Sequence, residues 1–223
     1  MVEPTYKDRW GFEQWAKTYD EDIGRAARSD DWMFHNYEKV LDRVVELCEL
    51  PGDAYSTVLD IGAGTGNLAS RLVGKVSRVL GIDPSPAMRR ICRQKHRRIQ
   101  VQAGDFLDIP LSDKSVDIIV SSYAFHHLTP RQKETSIREM KRVLRPGGRI
   151  VIADLMFQSS SEAEHIKRAL RESGHADTAE EIEDEHPGLL DDLSSVFDKA
   201  GFTFRSEQLT PSVWVLCALL RNG

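Results

Sequence analysis

The stretch Val58-Leu59-Asp60-Ile61-Gly62-Ala63-Gly64-Thr65-Gly66 constrains this chain more than any other. A short apolar run closes beside an acid, three glycines follow at alternate positions, and Asn67 to Val73 reads as the first turns of a helix. Buried strand, tight turn and helix start make the first half of a βαβ unit. Glycine is needed where backbone turns with φ > 0 or lets a ligand lie against the main chain. Gly62, Ala63, Gly64 and Gly66 are therefore expected to form a ligand-binding turn, with the Asp60 carboxylate beside it.

The dinucleotide fingerprint is G-x-G-x-x-G, whose third glycine lets the helix pack on the strand. Here Asn67 stands at that place. The next apolar run, Val79 to Ile82, ends in Asp83. That is roughly 20 residues after the first glycine, where a carboxylate can take both hydroxyls of a ribose.

Together these motifs resemble the class I S-adenosylmethionine-dependent methyltransferases. Within them the chain is similar to the bacterial small-molecule group of ubiquinone/menaquinone-type enzymes and uncharacterised relatives from bacilli, from about Trp15 to Leu220. The resemblance implies S-adenosyl-L-methionine as cofactor and S-adenosyl-L-homocysteine as product. It implies an α/β fold, a single Rossmann-like doubly wound sheet of seven strands. Their order would be 3-2-1-4-5-7-6, with the last strand antiparallel and helices on both faces. It also places Tyr19, of the W-A-x-x-Y-D stretch, over the cofactor. Asp105 would accept from the adenine amino group, and Phe106 would pack on the ring. Read from the residues alone, Tyr19 can equally anchor the N-terminal arm, and Asp105 can cap a turn.

The chain of 223 residues suits one substantial core, and its net charge of −5 gives no global attraction to nucleic acid. Its 3 cysteines are far apart and form no zinc spacing or disulfide frame, which fits a reducing cytoplasm. No signal peptide is read at Met1, and Val213 to Leu220 is too short an apolar run to span a membrane.

A single methyltransferase domain over 1–223 is expected. Residues 1–50 would be a helical arm, 51–155 the cofactor core, 156–187 a lid-like insertion, and 188–223 a helix and strand pair. Trp10, Phe12 and Trp15 suggest that the arm docks on the body. Helical spacing over Asp31 to Leu50 predicts one buried stripe, capped by Asp30 or Asp31 and ended at Pro51-Gly52. Further helices are expected at Pro86 to Lys95, Pro130 to Leu144 and Leu189 to Ala200, and strands at Ile99 to Ala103, Val116 to Val120 and Arg149 to Leu155. Arg-Pro-Gly-Gly at 145–148 reads as a turn. Phe202 to Leu209 and Ser212 to Leu220 form an antiparallel pair. The acidic segment Phe157 to His186 is read as one or two helices, and with the arm as the most mobile part before ligand binds.

Ligands of open α/β sheets bind at the carboxyl ends of strands. That adds Pro84, after Asp83, and Ser121, at the end of the fourth strand, to the expected cofactor contacts. Met88 either faces the adenosine or belongs to the core. The cations from Arg89 to Arg98 have no interleaved aromatics and suit a solvated face better than an RNA contact. Methyl transfer from a sulfonium needs mainly positioning, with a general base for some acceptors. His126 and Tyr19 are the candidate catalytic residues, with His127 and Tyr123 behind them. Adjacent histidines alone are a poor metal site, so none is expected. The expected partner is a small-molecule methyl acceptor. RNA or protein methyl transfer and a nicotinamide-dependent oxidoreductase are the alternatives.

Overall fold

Apolar strand runs need cover on both faces when the strands are parallel, and this chain supplies it from two sides. In the computed structural model, residues 11–29, 31–50 and 56–221 are described. They form α1 (Phe12–Trp15), α2 (Tyr19–Ala26), α3 (Tyr37–Leu47), β1 (Thr57–Ile61), α4 (Asn67–Leu72), β2 (Arg78–Ile82), α5 (Pro86–Lys95), β3 (Gln100–Gln102) and β4 (Val116–Ser122). After a 3-10 turn (Phe125–His127) come α6 (Pro130–Val143), β5 (Leu144–Phe157), α7 (Ser160–Glu172), α8 (Ala176–Asp184), β6 (Gly188–Leu189), α9 (Leu190–Lys199), β7 (Phe202–Gln208) and β8 (Val213–Leu220).

The sheet runs β3-β2-β1-β4-β5-β8-β7. Strands β1 to β5 pair in parallel, and β8 lies antiparallel to both β5 and β7. The expected path is present with one addition. The two-residue β6 pairs with the end of β5, so the sheet has eight strands and those expected sixth and seventh are β7 and β8. Alternate residues of each strand feed opposite layers. Val58, Val79, Val120 and Val151 meet Val40, Leu41 and Val44 of α3 on one face. Leu59, Ile119 and Ile152 meet Ile137 and Met140 of α6 and Phe197 of α9 on the other.

Element ends depart from the expected ones for local reasons. Helix α3 begins at Tyr37 rather than Asp31, because Asp31 Oδ1 accepts from the Met33 and Phe34 amides at 2.9 and 2.7 Å. That side-chain turn competes with regular helical bonding before Tyr37. Asp30, Trp10 and Pro51-Gly52 lie outside the described residues. Arg145 to Gly148 is no separate turn. Strand β5 starts at Leu144, paired with Val116, and the register shifts before Ile118 meets Arg149, so the segment is an irregularity within the strand. Thr129 and Gln132 form a reciprocal capping box that fixes the start of α6. The insertion holds two helices. Helix α7 buries no residue and α8 buries Ala179 and Ile182.

Candidate functional site

The turn after β1 is held from beneath. The Gly62 and Ala63 amides both donate to the Ile82 carbonyl at the end of β2, at 2.9 and 3.0 Å. Asp83 follows at that strand end. Its Oδ2 accepts from the Gly64 amide and its Oδ1 from the Ser85 amide, each at 2.8 Å. The same carboxylate thus sets the glycine turn and the approach to α5.

A cavity of about 490 Å³ opens above these strand ends. Tyr19, Gly62, Gly64, Asp83, Pro84, Met88, Asp105 and Phe106 line it, as do Phe12, Tyr123 and His127 and, at the entry to α6, Leu128, Thr129 and Gln132. Asp83 and Asp105 are carboxylates, and among the described residues its lining includes no Lys or Arg. A second hollow of about 530 Å³ lies among the surfaces of α6, α7 and α9. It meets no glycine turn and no end of β1, β2 or β4, so the chemistry is placed in the first.

Five of the expected residues are elsewhere. Ser121 is wholly buried and donates to the Ile61 carbonyl at 2.7 Å, which ties β4 to β1 and leaves Ser122 on the cavity. Asp60 is buried and accepts from the Ala69 amide at 3.1 Å, locking β1 to α4. Ala63 is buried in the turn. Gly66 serves packing, since a Cβ there would meet His96 Cδ2 at 2.7 Å and Cys92 Sγ at 2.9 Å. His126 is buried behind the wall, its Nδ1 2.5 Å from Asp154 Oδ1.

Tyr19, the other candidate catalytic residue, lies on the cavity. Burial, then the neighbouring Tyr37, Asp20, Tyr123 and Asp83, push its hydroxyl well above the tyrosine range. Its protonated hydroxyl can donate a hydrogen bond into the cavity. Tyr123 holds φ 52°, a left-handed conformation uncommon for a non-glycine residue. Among the described residues its buried hydroxyl has no hydrogen-bond partner. Backbone strain and an unpaired polar atom both concentrate on this wall.

Asp105 Oδ1 accepts from the Leu107 and Asp108 amides at 2.7 and 3.0 Å. The turn so formed holds Phe106 edge-on to Phe125, ring centroids 5.4 Å apart. His127 Nδ1 lies 3.1 Å from Glu185 Oε2. Burial and the charge of His126 lower its pKa against the opposing Glu185. For His126 burial acts downward too, but the Asp154 and Glu185 charges outweigh it and the net shift is upward.

Two residues of the site escaped the sequence reading. Glu13 Oε1 accepts from Ser85 Oγ at 2.7 Å and the Ala87 amide at 3.3 Å, capping α5 from the arm. Asp20 Oδ1 accepts from Thr65 Oγ1 at 2.6 Å and Asn67 Nδ2 at 3.0 Å, while Lys95 Nζ reaches Oδ2 at 2.5 Å. Burial alone would raise the Asp20 pKa, but Lys95, Thr65 and Asn67 more than reverse it. The arm is therefore bonded to the glycine turn, and Asn67, where the dinucleotide fingerprint has its third glycine, gives its side-chain amide to that clamp. The quoted Tyr19-Asp20 pair was the only signal. Asp20→Ala should speed amide exchange over Tyr19–Ala26 and weaken cofactor binding about fivefold, roughly 1 kcal/mol. Hydrogen exchange and calorimetry check it, and unchanged exchange would show that the clamp holds nothing.

The matching family model is that of a methyltransferase domain, over residues 58–148. An uncharacterized methyltransferase of Oceanobacillus iheyensis is 34% identical over 207 residues, covering 93% of this chain and 94% of its own. One from Bacillus velezensis is 36% identical over 212 residues, covering 94% and 96%. Among solved structures, a SAM-dependent methyltransferase from Thermotoga maritima matches with TM-score 0.64 at 21% identity, over 93% of this chain and 97% of that one. The chain belongs to the class I S-adenosylmethionine-dependent methyltransferases. It is an enzyme, and its cofactor is S-adenosylmethionine. Within that class it stands with methyltransferases of bacilli, similar to them along nearly its whole length.

The residues present fit that cofactor. A Cβ built on Gly64 meets nothing within 4 Å, so the turn leaves room for a ligand against its main chain. The wall also offers the carboxylates of Asp83 and Asp105 to a ligand's hydroxyl and amino groups.

Proposed function

We propose that this enzyme transfers the methyl group of S-adenosylmethionine to a small-molecule acceptor that enters the 490 Å³ cavity from the side of His127 and Gln132. The observation that carries the reading is the wall itself. Its charged side chains are carboxylates, and the chain's own arm, through Phe12 and Tyr19, covers part of it. A polynucleotide acceptor is disfavoured by a lining that, among the described residues, has no Lys or Arg. Three of the four cations of α5 make hydrogen bonds within the chain. Arg89 donates to the Asp83 and Pro84 carbonyls, Arg93 to the Val101 carbonyl, and Lys95 to Asp20.

The sulfonium supplies a methyl group already activated for in-line displacement. The chain's task is to bind, orient and exclude water. Asp83 accepts from the ribose hydroxyls, Asp105 and Phe106 hold the adenine, and Gly64 leaves space for the methionine part. Tyr19 and Tyr123 present hydroxyls and ring faces on the same wall. No described helix is long and apolar enough to cross a membrane, and the reaction is assigned to the cytoplasm. The test is a methyl-transfer screen of metabolite pools read by mass spectrometry. Methylated small molecules are expected, and transfer only to RNA or protein would overturn the reading.

Cofactor binding should depend on pH through Asp83. Burial raises its pKa to about 6 against the Gly64 and Ser85 amides. Its neutral form favours the unliganded fold, a contribution present below pH 3.8 and lost as pH rises through about 6. Ribose hydroxyls favour the ionised form, so affinity should rise about tenfold from pH 5 to pH 7. Calorimetry across that range should show proton release at the acid end, and a flat profile would remove Asp83 from the contact.

A further inference from the structure

Two adjacent histidines gain a third neighbour only in the fold. Glu185, just past the end of α8, places Oε2 at 3.1 Å from His127 Nδ1 and 3.9 Å from His126 Nε2. One donor atom from each of the three lies within 4.8 Å of the others. On the far side of the His126 ring, buried Asp154 accepts from Nδ1 at 2.5 Å. Its Oδ2 takes the Ala124 and Phe125 amides at 3.0 and 2.5 Å. In the neutral ring the proton on Nδ1 leaves the lone pair on Nε2, the nitrogen nearer Glu185.

We propose that His126 Nε2, His127 Nδ1 and Glu185 Oε2 bind one divalent transition-metal ion, with zinc the best match to the donors. Two imidazoles and a carboxylate are a zinc-type set, with bonds of about 2.0–2.2 Å and a fourth position open to water. Tetrahedral geometry then needs donors roughly 3.3–3.5 Å apart, so the 3.9 Å pair closes slightly and the 3.1 Å pair opens slightly. Asp154 supplies the second, independent argument. A metal-bound imidazole almost always gives its other N–H to a carboxylate or carbonyl that fixes tautomer and ring direction. Here that partner is already in place and is itself held by backbone amides.

Charge allows it. Asp154 and Glu185 face one ammonium, Lys133, whose Nζ is held by the Leu128 and His186 carbonyls. Burial lowers the Lys133 pKa to about 8 against the pull of those carboxylates. A divalent ion with bound hydroxide would balance the cluster. Because His127 lines the main cavity, the ion would stand at its edge, and through Glu185 it would tie the α7–α8 insertion to the sheet. Histidines side by side do not announce this in sequence, since Glu185 is 58 residues beyond His127.

The full chain, stripped of metal, is titrated with zinc by calorimetry and with cobalt(II) by visible absorption. One equivalent should bind, with tetrahedral cobalt bands and no sulfur charge-transfer, since Cys48, Cys92 and Cys217 are buried elsewhere. Asp154→Asn should weaken binding about 10- to 100-fold, and Glu185→Gln by more. Glu185 is not buried in the core, so its variant keeps the fold, checked by circular dichroism, if Asp154→Asn does not. Metal-free protein is titrated with S-adenosylmethionine alongside, so a missing metal site leaves the methyltransferase reading standing. Absence of saturable zinc binding, or binding unchanged in the Glu185→Gln/His127→Gln double variant, overturns the proposal.

Discussion

Asp83→Ala should weaken S-adenosylmethionine and S-adenosylhomocysteine binding by roughly 30- to 1000-fold, about 2–4 kcal/mol. The side chain is only 7% exposed, so the hydrogen bonds it makes to a ligand are shielded from water. Two effects add. The ribose hydroxyls lose a charged acceptor, and the Gly64 and Ser85 amides lose their partner at 2.8 Å. Asp83→Asn separates them in part, because its one remaining acceptor oxygen can keep one of those contacts without the charge. It should recover a fraction of the affinity and abolish the pH dependence between 5 and 7. The variant fold should survive, since raising an Asp pKa to about 6 means that burial of the ionised group opposes folding. Equal binding by Asp83→Ala and the parent would remove the ribose contact from the proposal.

What the sequence disclosed follows from the range of the interactions. Strand–turn–helix at 58–73 is local, and the runs that become β1, β2 and β4 have consecutive apolar residues at their centres, which suits a sheet covered on both faces. Local competition was less legible. Asp31 takes two amides and delays α3, a choice between a side-chain turn and a helix that periodicity cannot see. Pleat direction was not legible at all. Ser121 and Ser122 are both small and polar, yet only the second reaches the cavity, because neighbouring side chains of a strand point oppositely. His126 and His127 divide the same way between Asp154 and the wall. Long-range pairs were beyond reach for a different reason. Glu13 meets Ser85 and Asp20 meets Thr65 because the arm folds back over the turn, and no spacing rule encodes that. The aromatics of the arm suggest that it docks on the body, and the carboxylates of Glu13 and Asp20 add polar contacts to that docking.

Gly62 and Gly64 look equivalent in the sequence and should behave oppositely when changed. Both have positive φ, 73° and 53°, so either substitution carries about 1–2 kcal/mol of left-handed strain. Space separates them. A Cβ on Gly62 would stand 2.5 Å from the Ala124 Cβ, at the point where β4 turns into the cavity wall. Neither backbone can yield without moving its strand end, so overpacking adds about 1–3 kcal/mol. Gly62→Ala should lower Tm by roughly 5–15 °C, with binding lost only as folding is lost. A Cβ on Gly64 meets nothing within 4 Å. Gly64→Val should therefore cost little beyond the strain, a few degrees in Tm. Its branched side chain stands instead in the volume assigned to the methionine part, and affinity for S-adenosylmethionine should fall by at least about 100-fold, near 2.7 kcal/mol. Thermal melts and calorimetry on both variants give a crossed pattern, one losing stability and the other losing ligand. If Gly64→Val binds like the parent, the methionine part does not lie against this turn. If Gly62→Ala melts like the parent, the contact with Ala124 does not constrain the strand ends.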